Sequence, residues 1–476
     1  MLNGWAPGAC HLKGETSMTT TTRGRHVRFA AVALVLGLVA ASCGSDDSGS
    51  TTGTDDTTSV DTTATDSAAE DTAADTTTVD SASDGGSATA TERTNEAGAA
   101  CIGSGDGSGE PIVIGQIQTN ESPGAGFPEF EEGATACFEA INATGGINGR
   151  PIDFTSCNDA GDPVQGETCA RDLIDDGAVA VLGGVCFSCF AAPIVDILGE
   201  AGIPYVGGLP VLPNEYTQEN FYPITNAGGS AALFANAAYI MATAEAEGIE
   251  PSVVEIYAAV GEADPTLENQ IDKLGGTYLA RVGFDPASAD LSSIAQQAID
   301  EGSNFVSVQT DGPNTVKLVT SLRTQGFEGG IVILGTAADP QSIEGMGDAS
   351  EGVFVAAFFD DLANAGSADG EKFRADMEAS GGDSTVPLAT SGYAAAYVTA
   401  EALFAAGDDI TSESYLEALT SIGPLEALFA GDMAASNAND DFPRTYYFSA
   451  YSQTIQDGVV TPTGDVFNFY TGEPVS

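Results

Sequence analysis

Residues 178–208 read AVAVLGG, VCFSCFAAPIVDILGEAG and IPYVGG in unbroken succession. The first run is apolar throughout, as suits a strand buried on both faces of a sheet. A Gly-Gly turn follows, then a segment with Ala192, Val195, Ile197 and Leu198 near helical spacing. Gly202 ends that helix, and 203–206 begins a second buried run. The unit is β-turn-α-β, which within one sheet means parallel strands and a right-handed crossover. Ligands of such sheets sit beyond the carboxyl ends of the strands, where helix N-termini offer free N–H groups. Residues 183–188 occupy that place.

The same alternation extends in both directions. Strands are predicted over 112–118, 152–157, 253–260, 278–284, 305–309, 331–334 and 353–359. Helices are predicted over 129–143, 163–176, 231–247, 265–274, 291–301, 314–325, 369–380, 391–406 and 412–422. Extended, aromatic-rich segments at 446–452 and 466–470 close the chain. Repeated βα units over this length indicate an α/β protein with two sheets.

Composition narrows the function. A formal charge of -55 excludes nucleic acid as a partner, because binding a polyanion needs a basic face. Both histidines, His11 and His26, precede the folded part. The remainder therefore has no Ser-His-Asp triad, no Cys-His pair and no histidine metal site, and neither a metal nor a cofactor is expected. The pairs Asp360-Asp361 and Asp408-Asp409 read as solvated surface in so acidic a chain, and Tyr393 and Tyr397 as packing residues.

The N-terminal part carries its own signals. Residues 23–43 read RGRHVRFAAVALVLGLVAASC, with Arg23, Arg25 and Arg28 before an apolar run too short to span a membrane comfortably. The closing A-S-C resembles a bacterial lipobox, so 18–43 is expected to be a lipoprotein signal peptide starting at Met18 and ending at the lipidated Cys43. Residues 44–109 are Thr, Asp, Ser, Ala and Gly with almost no large apolar side chain. Such a segment cannot bury enough surface to offset its ordering entropy and is expected to be a disordered tether. The glycines of 103–109 have neither a preceding strand nor a following helix, so they do not form a nucleotide loop.

From residue 110 to the end, the chain resembles the leucine/isoleucine/valine-binding family, the type I substrate-binding proteins of ABC importers. The resemblance is carried by IVIG at 112–115, INATGGINGRPIDF at 141–154, NDAGDP at 158–163, AVLGG at 180–184 and AGIPYVG at 201–207, in order and spacing. It implies the type I periplasmic-binding-protein fold: two Rossmann-like lobes joined by three hinge crossings near 222–229, 335–339 and 443–447. Lobe 1 would comprise 110–226 with 340–442, and lobe 2 would comprise 227–339 with 443–476.

The family's carboxylate anchors correspond to 186–188 and 209–211, implicating Cys186, Phe187, Ser188, Leu209 and Val211. Its acidic ammonium anchor falls at Thr336, Ala337 and Ala338, where this chain has no carboxylate before Asp339. Aromatic positions of the second lobe become Asp311 and Gly312. Either Asp311 or Asp339 replaces the missing counterion, or the ligand carries no ammonium. Phe127, Phe130 and Phe187 would lie near the converging strand tips.

Cys101, Cys137, Cys157, Cys169, Cys186 and Cys189 form an even set in an exported protein and are expected to pair as disulfides. The family's bridge joins the loops after the second and third strands, which implies Cys157 with Cys186 or Cys189. The Cys186-Phe187-Ser188-Cys189 spacing also suits thiol redox chemistry.

The function implied is a non-enzymatic, lipid-anchored extracytoplasmic receptor, monomeric, delivering a small polar solute to ABC permease subunits. A sensory module of the same fold, or a carboxylate-dependent surface hydrolase, are the alternatives.

Overall fold

The computed structural model describes residues 98–475, apart from 123–125, 187, 191–192, 209, 211–217, 224–228, 260–263, 359–365, 430, 432 and 441. The expected signal peptide, Cys43 and the tether up to residue 97 lie outside the described residues.

The first sheet begins with β1 (Ile112–Gln118), followed by α1 (Glu129–Ala143), β2 (Ile152–Asn158), α2 (Pro163–Asp175), β3 (Ala180–Gly183), α3 (Ile194–Glu200), β4 (Tyr205–Gly207) and β5 (Phe221–Tyr222). The strand order is β2-β1-β3-β4-β5, and every pairing is parallel. Alternation along β1 explains the layers. Ile112 and Ile114 join the core containing Phe130, Ala134 and Phe138 of α1, whereas Ile117 joins Leu173 of α2 and Ile194 and Leu198 of α3.

The second sheet is built from α4 (Gly229–Glu247), β6 (Ser252–Ala258), α5 (Thr266–Leu274), β7 (Thr277–Phe284), α6 (Ser292–Asp300), β8 (Phe305–Gln309), α7 (Gly312–Thr324), β9 (Gly330–Ile333), α8 (Pro340–Met346) and β10 (Phe354–Ala357). The chain then forms α9 (Ala368–Ser380), α10 (Pro387–Ala406) and α11 (Ser412–Leu419) before β11 (Ser449–Gln456) and β12 (Val459–Asn468) complete that sheet. Its order is β12-β11-β10-β9-β8-β6-β7, with parallel pairing from β10 to β7 and antiparallel pairing of β11 with both β10 and β12. Asp457 and Gly458 both have positive φ, 51° and 75°, which is what a tight hairpin turn between twisted strands requires.

Helices α9 and α10 return to the first sheet and pack on α1. The α1–α10 contact is backbone on backbone. A Cβ at Gly133 would overlap the Ala389 carbonyl, and one at Gly392 the Phe130 carbonyl.

Two boundaries differ from the sequence expectation. Residues 340–357 do not belong to the first lobe. β10 pairs with β9 on one side and β11 on the other, and Ile343, Val353 and Val355 share a core with Ile331 and Ile333. The segment 335–339 is accordingly no crossing: Gly335–Ala337 is a 3-10 turn and Asp339 caps α8. The second passage between sheets falls after Ala357. Second, the tether does not continue to residue 109. Ala99, Ala100 and Cys101 are buried, Cys101 is bonded to Cys137 of α1, and the Gly109 N–H donates to the Gly149 carbonyl at 2.8 Å. A covalent link to a helix holds a segment whose composition alone would not fold.

Candidate functional site

The carboxyl ends of β1, β2 and β3 are tied together by one buried carboxylate. Asp159, immediately after β2, is 0% exposed. Its Oδ1 accepts from the Thr119 hydroxyl at 2.6 Å, beyond β1, and from the Gly161 N–H at 2.9 Å. Its Oδ2 accepts from the Ser188 N–H at 3.0 Å, beyond β3, and lies 3.4 Å from Cys186 Sγ. Beside it, Asn158 Oδ1 accepts from the N–H groups of Asn120 and Ala160, each at 3.0 Å. Asp159 is not among the contact residues predicted from sequence. Its signal was the pair of Asx residues ending a strand, since such side chains satisfy the backbone of the following turn.

The predicted contact residues fare differently. Ser188 opens a 3-10 turn, Ser188–Phe190, and is 0% exposed. Its side chain packs against Gly166 of α2, where a Cβ would collide with Ser188 Oγ, and its N–H is taken by Asp159. It is therefore a packing residue and offers a ligand neither group, because α2 covers it. Cys186 is buried and bonded to Cys189, so it too faces the lobe interior. Ala337 is 0% exposed, since its 3-10 turn packs against α10. Asp311 is exposed and caps α7, with Oδ1 accepting the Asn314 N–H at 2.8 Å and Oδ2 its side-chain N–H at 3.1 Å. Asp339 caps α8 in the same way, accepting from Ser342 N at 3.0 Å and Oγ at 2.5 Å. Phe187, Leu209 and Val211 lie outside the described residues. Phe130 is core and Phe127 half-buried.

The cysteines pair as Cys101–Cys137, Cys157–Cys169 and Cys186–Cys189. This corrects the implied pairing of Cys157 with Cys186 or Cys189. Cys169 sits on α2, which packs directly over β2 and so places its sulfur nearer than the β3 tip.

At the same end of the first sheet, a cavity of about 530 Å³ is lined by Asn120, Glu121, Glu131, Glu132, Asn158 and Ser380, among others. Glu131 accepts hydrogen bonds from the Asn120 side chain and, at 2.8 Å, from the Ser156 hydroxyl. Glu131 and Glu132 belong to the first turn of α1, where negative charge complements the helix dipole. Among the described residues, no group of His, Cys, Asp and Glu is placed to hold a metal ion.

The chain leaving β10 and the chain entering β11 are in contact. The Tyr447 hydroxyl, just before β11, donates to the Phe358 carbonyl, just after β10, at 2.7 Å. Arg444 Nε donates to the Gln218 carbonyl at 3.1 Å. Burial pushes the Tyr446 hydroxyl up to about 12 and the Tyr222 hydroxyl upward as well, with Arg444 opposing both, so these phenols remain neutral. Two sheets, each βα-built, make up the described residues, and the Tyr447–Phe358 bond ties the entry of β11 to the exit of β10.

The sequence profile described as "Periplasmic binding protein" matches residues 111–454. The chain belongs to the periplasmic binding protein family. An "Amino acid binding protein" of Pseudomonas aeruginosa is 27% identical over 248 residues, covering 49% of this chain and 66% of that protein. The chain thus matches just under two thirds of that relative's length. Among solved structures, the substrate binding protein of a branched-chain amino acid transporter from Streptococcus pneumoniae, in complex with isoleucine, superposes with a TM-score of 0.59 at 16% identity. The alignment covers 77% of this periplasmic binding protein and 99% of that chain. A solute binding protein from R. palustris in complex with 4-hydroxybenzoate gives a TM-score of 0.58 at 17% identity, covering 74% and 96%. At these identities the likeness speaks for the fold. The named relatives of this periplasmic binding protein are binding proteins rather than enzymes.

Proposed function

We propose that this protein is the solute-binding component of an ABC importer, held at the outer side of the cell membrane by a lipid on Cys43. It captures a small polar solute, an amino acid, an amide or a related acid, in the cleft between its lobes. Hinge closure at the three passages presents the loaded form to the permease subunits. It works as a monomer without a cofactor, and Phe187, Leu209 and Val211 supply first-lobe contacts.

The observation that supports this reading is the family match, which runs across both sheets from residue 111 to 454. The relatives' names and the capped state of Asp311 and Asp339 support this ligand class. Both carboxylates already serve helix N-termini, so an ammonium would compete with backbone N–H groups for them. Isoleucine and 4-hydroxybenzoate, held by two proteins of this fold, are both carboxylates and only the first has an ammonium.

A thermal-shift screen of the secreted chain tests the proposal, with amino acids, their amides, 2-hydroxy acids, aromatic acids and sugars as probes. A ligand at 100 times its Kd raises stability by about 2.7 kcal/mol, readily seen as a shift in Tm. A shift with amino acids and acids alone supports the reading. A flat response to every solute would sink it in favour of a sensory or partner-binding role.

A further inference from the structure

The Cys186–Cys189 bridge has the spacing of an exchangeable disulfide but not the surroundings of one. Cys186 is buried at 4% exposure, whereas Cys189 is half-buried and lies 3.5 Å from the Tyr205 hydroxyl. The Asp159 carboxylate stands 3.4 Å from Cys186 Sγ, and it is itself fully enclosed and acts only as an acceptor toward Thr119, Gly161 and Ser188. Reactive cysteine pairs lie beside positive charge, which stabilises the thiolate. This pair has a buried negative charge beside its enclosed sulfur.

We infer that Asp159 turns the Cys186–Cys189 bridge into a permanent clip of the β3 tip, protected from thiol exchange by the charge that its enclosed sulfur faces. The accessible sulfur is Cys189. An external thiolate attacks Cys189 Sγ, forms a mixed disulfide there, and the Cys186–Cys189 bond breaks with its electron pair leaving on Cys186. That leaving thiolate emerges 3.4 Å from a carboxylate that is itself fully buried. A poor leaving group slows exchange, and the Cys186 thiolate, once released, attacks Cys189 Sγ of the mixed disulfide, expels the external thiolate and restores the bridge. Asp159 also holds the Ser188 N–H between the two cysteines, so the same residue fixes the loop and guards its bond.

The test is reduction of the native full chain by glutathione, with free thiols trapped by iodoacetamide and located by peptide mass spectrometry. Asp159→Asn keeps the shape and removes the charge, and should open the bridge faster by on the order of tenfold. Thr119→Val removes one hydrogen bond from Asp159 but leaves the charge, so it separates electrostatics from local loosening and should react at the wild-type rate. The glutathione adduct should sit on Cys189. Equal rates for wild type and Asp159→Asn, acceleration by Thr119→Val as large as that by Asp159→Asn, or an adduct on Cys186 would each overturn the inference. If Asp159→Asn does not fold, the adduct position and the rate of Thr119→Val on folded protein decide it.

Discussion

The two sheets of this molecule solve the same problem by different means. The first has two seven-residue strands, then four residues in β3, three in β4 and two in β5, and every described cysteine lies in its lobe, in three disulfides. The second has seven strands, an antiparallel hairpin at its edge and a buried ion pair, Arg281 Nε to Glu255 Oε2 at 2.7 Å. Arg281 also donates to the Asp264 carbonyl at 2.8 Å, holding the loop that follows β6. In the first lobe covalent links restrict the unfolded chain, whereas in the second a polar network ties β6 to β7. The lesson is that two lobes of like topology do not share a source of stability.

The comparison breaks most visibly at Cys101–Cys137, which closes the longest loop, a sequence separation of 36. Replacing both by Ser should cost about 4 kcal/mol by chain entropy. It should also free the segment before β1 to proteolysis, while the second lobe's unfolding in guanidinium stays where it was. Next in size is Arg281→Met, which leaves the Glu255 carboxylate buried beside only the Tyr278 hydroxyl, 2.5 Å away. It should cost about 3 kcal/mol and leave the first lobe untouched.

That variant also carries a pH signature. Burial pushes the Glu255 carboxyl above its ordinary 4.5, against the hydrogen bonds of Tyr278 and Arg281. The native state therefore holds this proton more tightly than the unfolded chain does, and its contribution to stability falls as pH rises through the range above 4.5. Removing Arg281 should steepen that fall, seen in urea midpoints measured from pH 5 upward.

Cys186–Cys189 closes a loop with a separation of only 3, so its replacement by Ser should cost about 2 kcal/mol, half the effect of the long staple. A double variant as costly as the Cys101–Cys137 one would mean that the clip organises the whole tip. The smallest effect is expected for Asp311→Ala, about 1 kcal/mol for a lost helix cap, with solute affinity unchanged in isothermal titration. A loss of affinity there would return Asp311 to the cleft.

Much of the fold was legible because it is written locally. The strand 112–118, the helix 129–143 and the strand 305–309 coincide with β1, α1 and β8, since alternation and helical spacing are properties of neighbouring residues. The expected segments 446–452 and 466–470 follow aromatic residues and only partly overlap β11 and β12, whose hairpin turn is marked instead by Asp457-Gly458. Strand β5 and helix α8 are too short for periodicity to register. The site was far less legible. Ser188 looks available in sequence, yet the absent side chain of Gly166 lets it bury its hydroxyl against α2.

The sequence by itself determined the succession of βα units, the acidic surface, the absence of histidine from the folded part and membership of a family, because each follows from residue type and order. Tertiary structure alone decided which cysteines meet, that 340–357 belongs with the second sheet, and that Asp159 joins three strand tips. Those outcomes depend on distances between residues far apart in the chain, and packing sets such distances where no local pattern can.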